Sequence, residues 1–145
     1  DRLRSRGLGD VYKRQRRIYM FFIPEDCNNE YVKEIAIKLL QHIISTKQFI
    51  TYGQLSLKMS FDINPRIIER PLGRISYACT NNGLPPISAM VVNQETKMPG
   101  KGFFDAYFGE INGEDAKVRE WIKSVENIMA YESWADVLVA FENIK

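Results

Sequence analysis

Ile50-Thr51-Tyr52-Gly53-Gln54-Leu55 opens the stretch whose reading decides the fold, and Asn64-Pro65-Arg66 and Arg70-Pro71-Leu72-Gly73-Arg74-Ile75 continue it. It closes on Leu84-Pro85-Pro86-Ile87-Ser88-Ala89-Met90-Val91-Val92-Asn93 and Pro99-Gly100-Lys101-Gly102-Phe103-Phe104. Thr51 is a helix N-cap, so a short helix is expected over Tyr52–Met59 with Leu55 turned inward. Asp62 or Asn64 caps a second helix, with Pro65 in its first turn. Along that helix Ile68, Leu72, Ile75 and Cys79 recur at spacings of four, three and four, which predicts a buried face. Arg66, Arg70 and Arg74 recur every four residues and predict an exposed basic stripe. Pro71 and Gly73 fall inside the pattern and predict a bend. Asn81-Asn82-Gly83 ends the helix, with Gly83 as a left-handed cap. Ile87–Asn93 reads as a strand, and Gln94–Pro99 as the turn of a β-hairpin returning through Gly102–Phe108.

Helix, helix, strand and hairpin in that order predict an α+β fold, a winged-helix-like helical core with a small β-hairpin. Helices flank this centre on both sides. Asn28 or Asn29 caps one running to Thr46, where Val32, Ile35, Ala36, Leu39, Leu40, Ile43 and Ile44 form the apolar stripe. His42 sits beside that stripe and reads as a hydrogen-bonded or surface histidine. Gly113 starts another helix to about Tyr131, with Val118, Trp121, Ile122, Val125, Ile128 and Met129 facing inward. A last one, Ser133 to Phe141, offers Trp134, Val137, Leu138 and Phe141. Ile18–Ile23 reads as a short strand or an apolar tail tucked on the body, broken by Pro24.

The chain has 145 residues, 45% hydrophobic and 26% charged, which suits one globular domain with a proper core. Its longest apolar run, Ile18–Ile23, is far below the roughly 20 residues of a membrane span, so no membrane partner is expected. Cys27 and Cys79 are the only cysteines and His42 the only histidine, without ligand spacing. A disulfide framework and a metal site are therefore not expected, and a reducing cytoplasm is the default location. No cofactor is implied. Spacing alone leaves a Cys–His nucleophilic pair open.

Asp1–Gln15 has neither helical nor strand period and reads as a basic arm. From Ser5 to Gln15 it resembles the in-frame translation of a transposase sequencing adapter, of the kind carried by genes from metagenomic reads. The expected domain is then 16–145, with Met20 as the native start or an upstream piece missing. Asp1–Gln15 holds five of the 20 Lys and Arg and two of the 18 Asp and Glu. The remainder carries 15 basic against 16 acidic residues, so the net charge of +2 becomes −1. The apparent basicity carries no nucleic-acid inference.

Thr51-Tyr52-Gly53-Gln54-Leu55, Asn64-Pro65-Arg66, Arg70-Pro71-Leu72-Gly73 and Val91-Val92 together resemble the C-terminal DNA-binding domain of O6-alkylguanine-DNA alkyltransferases and alkyltransferase-like proteins. The resemblance covers about a third of the chain. It implies that Tyr52 helps turn a nucleotide out of a duplex, and places the intercalating arginine of that family at Tyr77. The reactive Pro-Cys-His-Arg motif falls on Ile87-Ser88-Ala89-Met90, so the acceptor thiol is a serine and its activating histidine an alanine. Alkyl transfer is accordingly not expected, nor is Ser88 an activated nucleophile. The broader pattern also resembles small uncharacterised bacterial and phage proteins.

The leading expectation is a non-catalytic binder of duplex DNA, with Arg66, Arg70 and Arg74 on phosphates, Tyr52 and Tyr77 on sugar or base, and Lys97 and Lys101 on the wing. Two alternatives stay open. One is a phage-type inhibitor or interaction module on a host protein, anchored by Phe103, Phe104, Tyr107, Phe108 and Trp134. The other is a pocket that sequesters or cleaves a nucleotide. An arm without apolar period buries little, so deleting Asp1–Gln15 should change the unfolding free energy by no more than about 0.5 kcal/mol. A melting temperature lowered by many degrees would show that the arm packs on the body.

Overall fold

A computed structural model describes residues 21–144, so Asp1–Gln15 and Ile18–Met20 lie outside the described residues. The order is α1 (Glu30–Thr46), β1 (Ile50–Thr51), α2 (Tyr52–Leu57), α3 (Glu69–Asn81), β2 (Val91–Val92), α4 (Lys101–Phe108), α5 (Glu114–Ala130) and α6 (Trp134–Glu142). Short 3-10 turns occupy Glu25–Cys27 and Ile87–Met90. The result is a mostly helical body around one small sheet.

That sheet is where the expected architecture changes. β1 and β2 run parallel, with Ile50 opposite Val91 and Thr51 opposite Val92. A parallel pair cannot be closed by a tight turn; it needs a crossover, here supplied by α2 and α3. The expected hairpin does not form. After the turn at Asn93–Met98, closed by Asn93 N–H to Met98 O (2.9 Å) and Lys97 N–H to Asn93 O (2.9 Å), the segment expected as a returning strand is helix α4. The aromatic spacing explains it. Phe103 with Tyr107 and Phe104 with Phe108 are i, i+4 pairs, which share a helix face, whereas a strand would need alternation. Phe103 is buried, with the Tyr107 and Phe108 rings 5.1 and 5.7 Å from its own. Only Val91–Val92 of the expected strand Ile87–Asn93 is extended; Ile87–Met90 coils as a buried 3-10 turn.

The helix ends follow the chain chemistry closely. Asn29 Oδ1 accepts the Tyr31 N–H at 2.8 Å and starts α1. Thr51 and Gln54 make a reciprocal capping box at the start of α2: Gln54 N–H to Thr51 Oγ1 and Thr51 N–H to Gln54 Oε1, each 3.0 Å. At the end of α3, Gly83 takes φ +76°, and Leu84 N–H bonds Cys79 O (2.9 Å) while Gly83 N–H bonds Thr80 O (3.0 Å). This is the Schellman arrangement, and Gly83 is where it needs a left-handed residue.

The start of α3 differs from expectation. Residues 65–68 form a turn in which Asn64 accepts Arg66 N–H on its side chain (2.9 Å) and Ile67 N–H on its carbonyl (3.0 Å). The helix proper begins at Glu69, so Pro71 is its third residue. The first N–H groups of a helix have no partner within it, so a proline there removes no bond and the cause of the expected bend is gone. Arg66 consequently lies off the helix, and only Arg70 and Arg74 are on it.

Core positions follow the apolar periods. Ile68, Leu72, Ile75 and Cys79 are all buried, as are Val32, Ile35, Ala36, Leu39, Leu40 and Ile43 on α1. Ile44 is 39% exposed, contrary to expectation; at about 100° per residue it is the outermost member of the stripe. Ile122 on α5 is likewise exposed, because the buried line there is Trp121, Ser124 and Ile128. Ser124 fits by donating its hydroxyl to Glu120 O at 3.2 Å. Both tryptophans bury their rings with the indole N–H satisfied, Trp121 on Ala89 O and Trp134 on Ile128 O, each 2.9 Å. At the other end, Phe21 sits on Phe141 with ring centroids 5.9 Å apart. Phe22 exchanges two backbone bonds with the Asn82 side chain, at 2.9 and 2.8 Å. The described part of the N-terminal apolar run is thus tucked on the body. Among the described residues, no helix is long and apolar enough to cross a membrane.

Neighbours on α3 separate core from surface. Ile75→Ala should destabilise by roughly 2–4 kcal/mol, since Ile75 is wholly buried. Arg74→Ala should cost under about 0.5 kcal/mol, because the bond made by Arg74 to the body is its carbonyl accepting the Cys27 thiol. Equal shifts of the two unfolding midpoints in urea would contradict this facing of the helix.

Candidate ligand groove

The three arginines converge although they do not share one helix. Arg66 from the turn and Arg70 and Arg74 from α3 all line a groove of about 1040 Å³. Its other walls come from the start of α1, from Phe61–Ile63, from Tyr52 and from α4. The loop wall is tied to α1 by Ser60, whose N–H and hydroxyl both bond the Glu34 carboxylate at 2.9 and 2.6 Å. The hydroxyl contact holds the Glu34 carboxyl below its ordinary range, with burial working against it. Tyr31 and Phe61 meet edge to face at 4.5 Å on this side, and Phe103 and Tyr107 bring α4 aromatics to the other.

The groove arginines make no direct ion pair among the described residues. Among the described residues the one ion pair is Lys123–Glu120 at 3.2 Å, on exposed α5. Glu69 and Asp62 line the same groove as the arginines, yet neither reaches a guanidinium within salt-bridge distance. Glu69 is turned the other way, against the start of α4. A Cβ built on Gly102 would lie 2.5 Å from Glu69 Oε1, and one on Gly100 3.0 Å from it. The Gly-Lys-Gly sequence is what lets that carboxylate approach the positive end of α4. Oε1 is buried there with no hydrogen-bond partner.

Tyr52 faces the same corner. Its hydroxyl accepts the Gly100 N–H at 2.9 Å. Burial raises its pKa, the Gly100 N–H opposes this, and the charge on Glu69 adds to the rise. Deeper in, Ser76 bonds Ser88 and also acts on Tyr107: Ser88 N–H donates to Ser76 Oγ at 2.8 Å, and the Ser76 hydroxyl lies 2.6 Å from Ser88 Oγ as donor. Both serines are buried, and Ser88 lines the groove. Ser88 therefore bonds to another hydroxyl, and among the described residues no base is bonded to it. His42 is engaged on α1, its Nε2 lying 3.0 Å from Gln48 O and 3.3 Å from Phe49 O. Cys79 is buried, and desolvation pushes its thiol up to about 12. The Cys–His pair left open by spacing does not form.

The remaining sequence candidates scatter. Tyr77 is 58% exposed, three residues beyond Arg74 on α3, and does not line the groove. Lys97 lines a second groove, and Lys101 is exposed in the first turn of α4. Without a hairpin there is no wing to carry the two lysines. The aromatic residues considered as protein anchors are largely spent inside: Phe103 and Trp134 are buried, while Phe104, Tyr107 and Phe108 are half-buried against the core. Sequence reading missed Tyr107 and Gly102 as groove components, and Ser76 as the partner of Ser88. Gly100-Lys101-Gly102 was the available signal for a close approach; nothing local pairs Ser76 with Ser88. Among the described residues no group of His, Cys, Asp or Glu is placed to hold a metal ion.

Comparison with known proteins finds no matching family model, no matching curated protein and no matching solved structure.

One buried and two half-buried acids predict alkaline lability. Cys79 and Tyr107 are each pushed up to about 12 by burial, from ordinary values of 9.0 and 10.0, with the Ser76 hydroxyl drawing Tyr107 back in part. Tyr52 is raised as well. A raised folded pKa means the unfolded chain loses these protons first. Their stabilising contribution is thus complete below about pH 9 and is lost as pH rises through about 12. Unfolding midpoints measured from pH 8 to 12 should fall above pH 9, and less steeply in Tyr107→Phe. A flat profile would contradict the burial of these groups.

Proposed function

We propose that the protein binds DNA without acting chemically on it, and that one unpaired nucleotide occupies the arginine groove. The observation carrying this reading is the convergence of Arg66, Arg70 and Arg74 on a single groove with no carboxylate partner among the described residues. Guanidinium groups in that state suit phosphate, which they bind through paired N–H donors. Aromatic walls suit a base, since a π face stacks on any base without regard to sequence. At about 1040 Å³ the groove has room for a nucleotide-sized ligand. The resemblance to alkyltransferase-like proteins points the same way, with Tyr52 at the groove and the acceptor thiol replaced by Ser88.

A free nucleotide is the second reading. Loss of the hairpin removes the expected wing contacts of Lys97 and Lys101 to a duplex, and that favours a smaller ligand. The body carries a net charge near −1 once Asp1–Gln15 is set aside, so long-range steering is weak and binding rests on the local cluster.

Fluorescence anisotropy on Met20–Lys145 with a fully paired duplex, the same duplex carrying one unpaired nucleotide, and free nucleotides as competitors tests both. The unpaired site should bind tightest. Changing Arg66, Arg70 and Arg74 together to Ala should leave the fold intact and lower the log–log salt slope by about 3, one for each phosphate contact. Loss of affinity for nucleotides alone, with a shallow salt response, would select the second reading. Full retention of DNA and nucleotide binding in the triple variant would reduce the arginines to a solvated surface and defeat both.

A further inference from the structure

A second groove lies directly beyond one wall of the first. It measures about 660 Å³ and shares Phe61, Asp62 and Ile63 with the arginine groove. The two grooves are therefore neighbours across a single three-residue wall. Its far side is the turn after β2, which contributes Gln94 and Lys97.

The polar groups here are mostly donors left idle by the fold. Lys97 makes no ion pair among the described residues, although Asp62 stands at the shared wall. Its backbone takes φ +60°, a left-handed conformation a lysine seldom adopts, and the two backbone bonds closing the Asn93–Met98 turn hold it there. Gln54 has its Oε1 occupied by the Thr51 N–H, which leaves the amide N–H groups to donate. Ser56 is 9% exposed and lines this groove, and its hydroxyl has no hydrogen-bond partner. A buried hydroxyl without a partner is uncommon and weakens a fold, so it calls for an explanation.

We propose that this groove is a second nucleotide subsite, so that the ligand is an unpaired strand of at least two nucleotides. Lys97 meets the phosphate of the second nucleotide, and Gln54 donates to its sugar or base. Rotation of the Ser56 side chain brings its buried hydroxyl to the same ligand, and Phe61 stands between the two bases. This rests on the reading of the arginine groove as a nucleotide site and adds the class of ligand: a strand, not a mononucleotide.

Calorimetry on the full chain with 5′-phosphorylated thymidine and deoxyadenosine mononucleotides and the matching dinucleotides tests it. The dinucleotides should bind about tenfold tighter than the mononucleotides, within what one stacked base and one phosphate contribute. Lys97→Gly suits the positive φ while removing the ammonium, and Ser56→Ala removes only an unpartnered hydroxyl, so both variants should keep the wild-type melting temperature or exceed it. Together they should cut the dinucleotide advantage to under about twofold and leave mononucleotide affinity unchanged. Equal affinity for one and two nucleotides in the wild type would overturn the second subsite while the first stands. An advantage that survives in the double variant would place the second nucleotide elsewhere and overturn it equally. Failure of every nucleotide to bind the wild type would remove the arginine-groove reading, and this inference with it.

Discussion

Parallel pairing of Ile50–Thr51 with Val91–Val92 brings both ends of the central stretch to the same place and pointing the same way. Everything between must leave the sheet and come back over it. The short helix α2, the turn at Asn64–Ile68 and the buried face of α3 are the material of that excursion. Because Leu72, Ile75 and Cys79 anchor α3 in the core, its opposite side is held outward, and Arg70 and Arg74 with it. The chain then continues from β2 through the Asn93–Met98 turn into α4, which returns along the other side of the outward face. The groove is the space left between the excursion and that return.

Electrostatics within this space is arranged by backbone, more than by ion pairing. A carboxylate one residue from Arg70 is the natural partner for an arginine cluster, and a pair at the surface contributes only a few tenths of a kcal/mol to about 1 kcal/mol. Here Glu69 lies against Gly100 and Gly102 instead, where two missing side chains admit it to the start of α4. The guanidinium groups keep their donors as a result. The cost is a carboxylate oxygen buried without a bond, a local imperfection at a candidate binding site and not in the apolar core.

The nucleophile candidates are quiet for related reasons. Ser88 occupies the groove but bonds to the Ser76 hydroxyl, and among the described residues no base is bonded to it. Cys79 lies in apolar surroundings that hold it as a thiol. A groove that gathers three guanidinium groups is suited to holding an anion.

Much of the local structure was legible in the residues themselves. Asn29 and Thr51 as caps, Gly83 as a left-handed stop, and the buried lines of α1, α3 and α6 follow from side-chain chemistry acting over one or two helical turns. So does the convergence of three arginines toward one side, though the route differed, since Arg66 belongs to a turn and the helix starts at Glu69. What sequence alone misread depends on partners far apart in the chain. Val91–Val92 can pair with a following strand or with Ile50–Thr51, and its own alternation does not say which; α4 decided it by coiling its aromatics into i, i+4 pairs against the core. Ile122 has the same hydropathy as its buried neighbours, and only the position of α5 over Ala89 turned Trp121, Ser124 and Ile128 inward in its place. The Ser76–Ser88 pair, the seat of Glu69 on two glycines and the wall that Phe61–Ile63 sets between two grooves all join segments that no periodicity connects. Local capping and hydrophobic period act along the chain and can be read there; these contacts exist only once the sheet has closed.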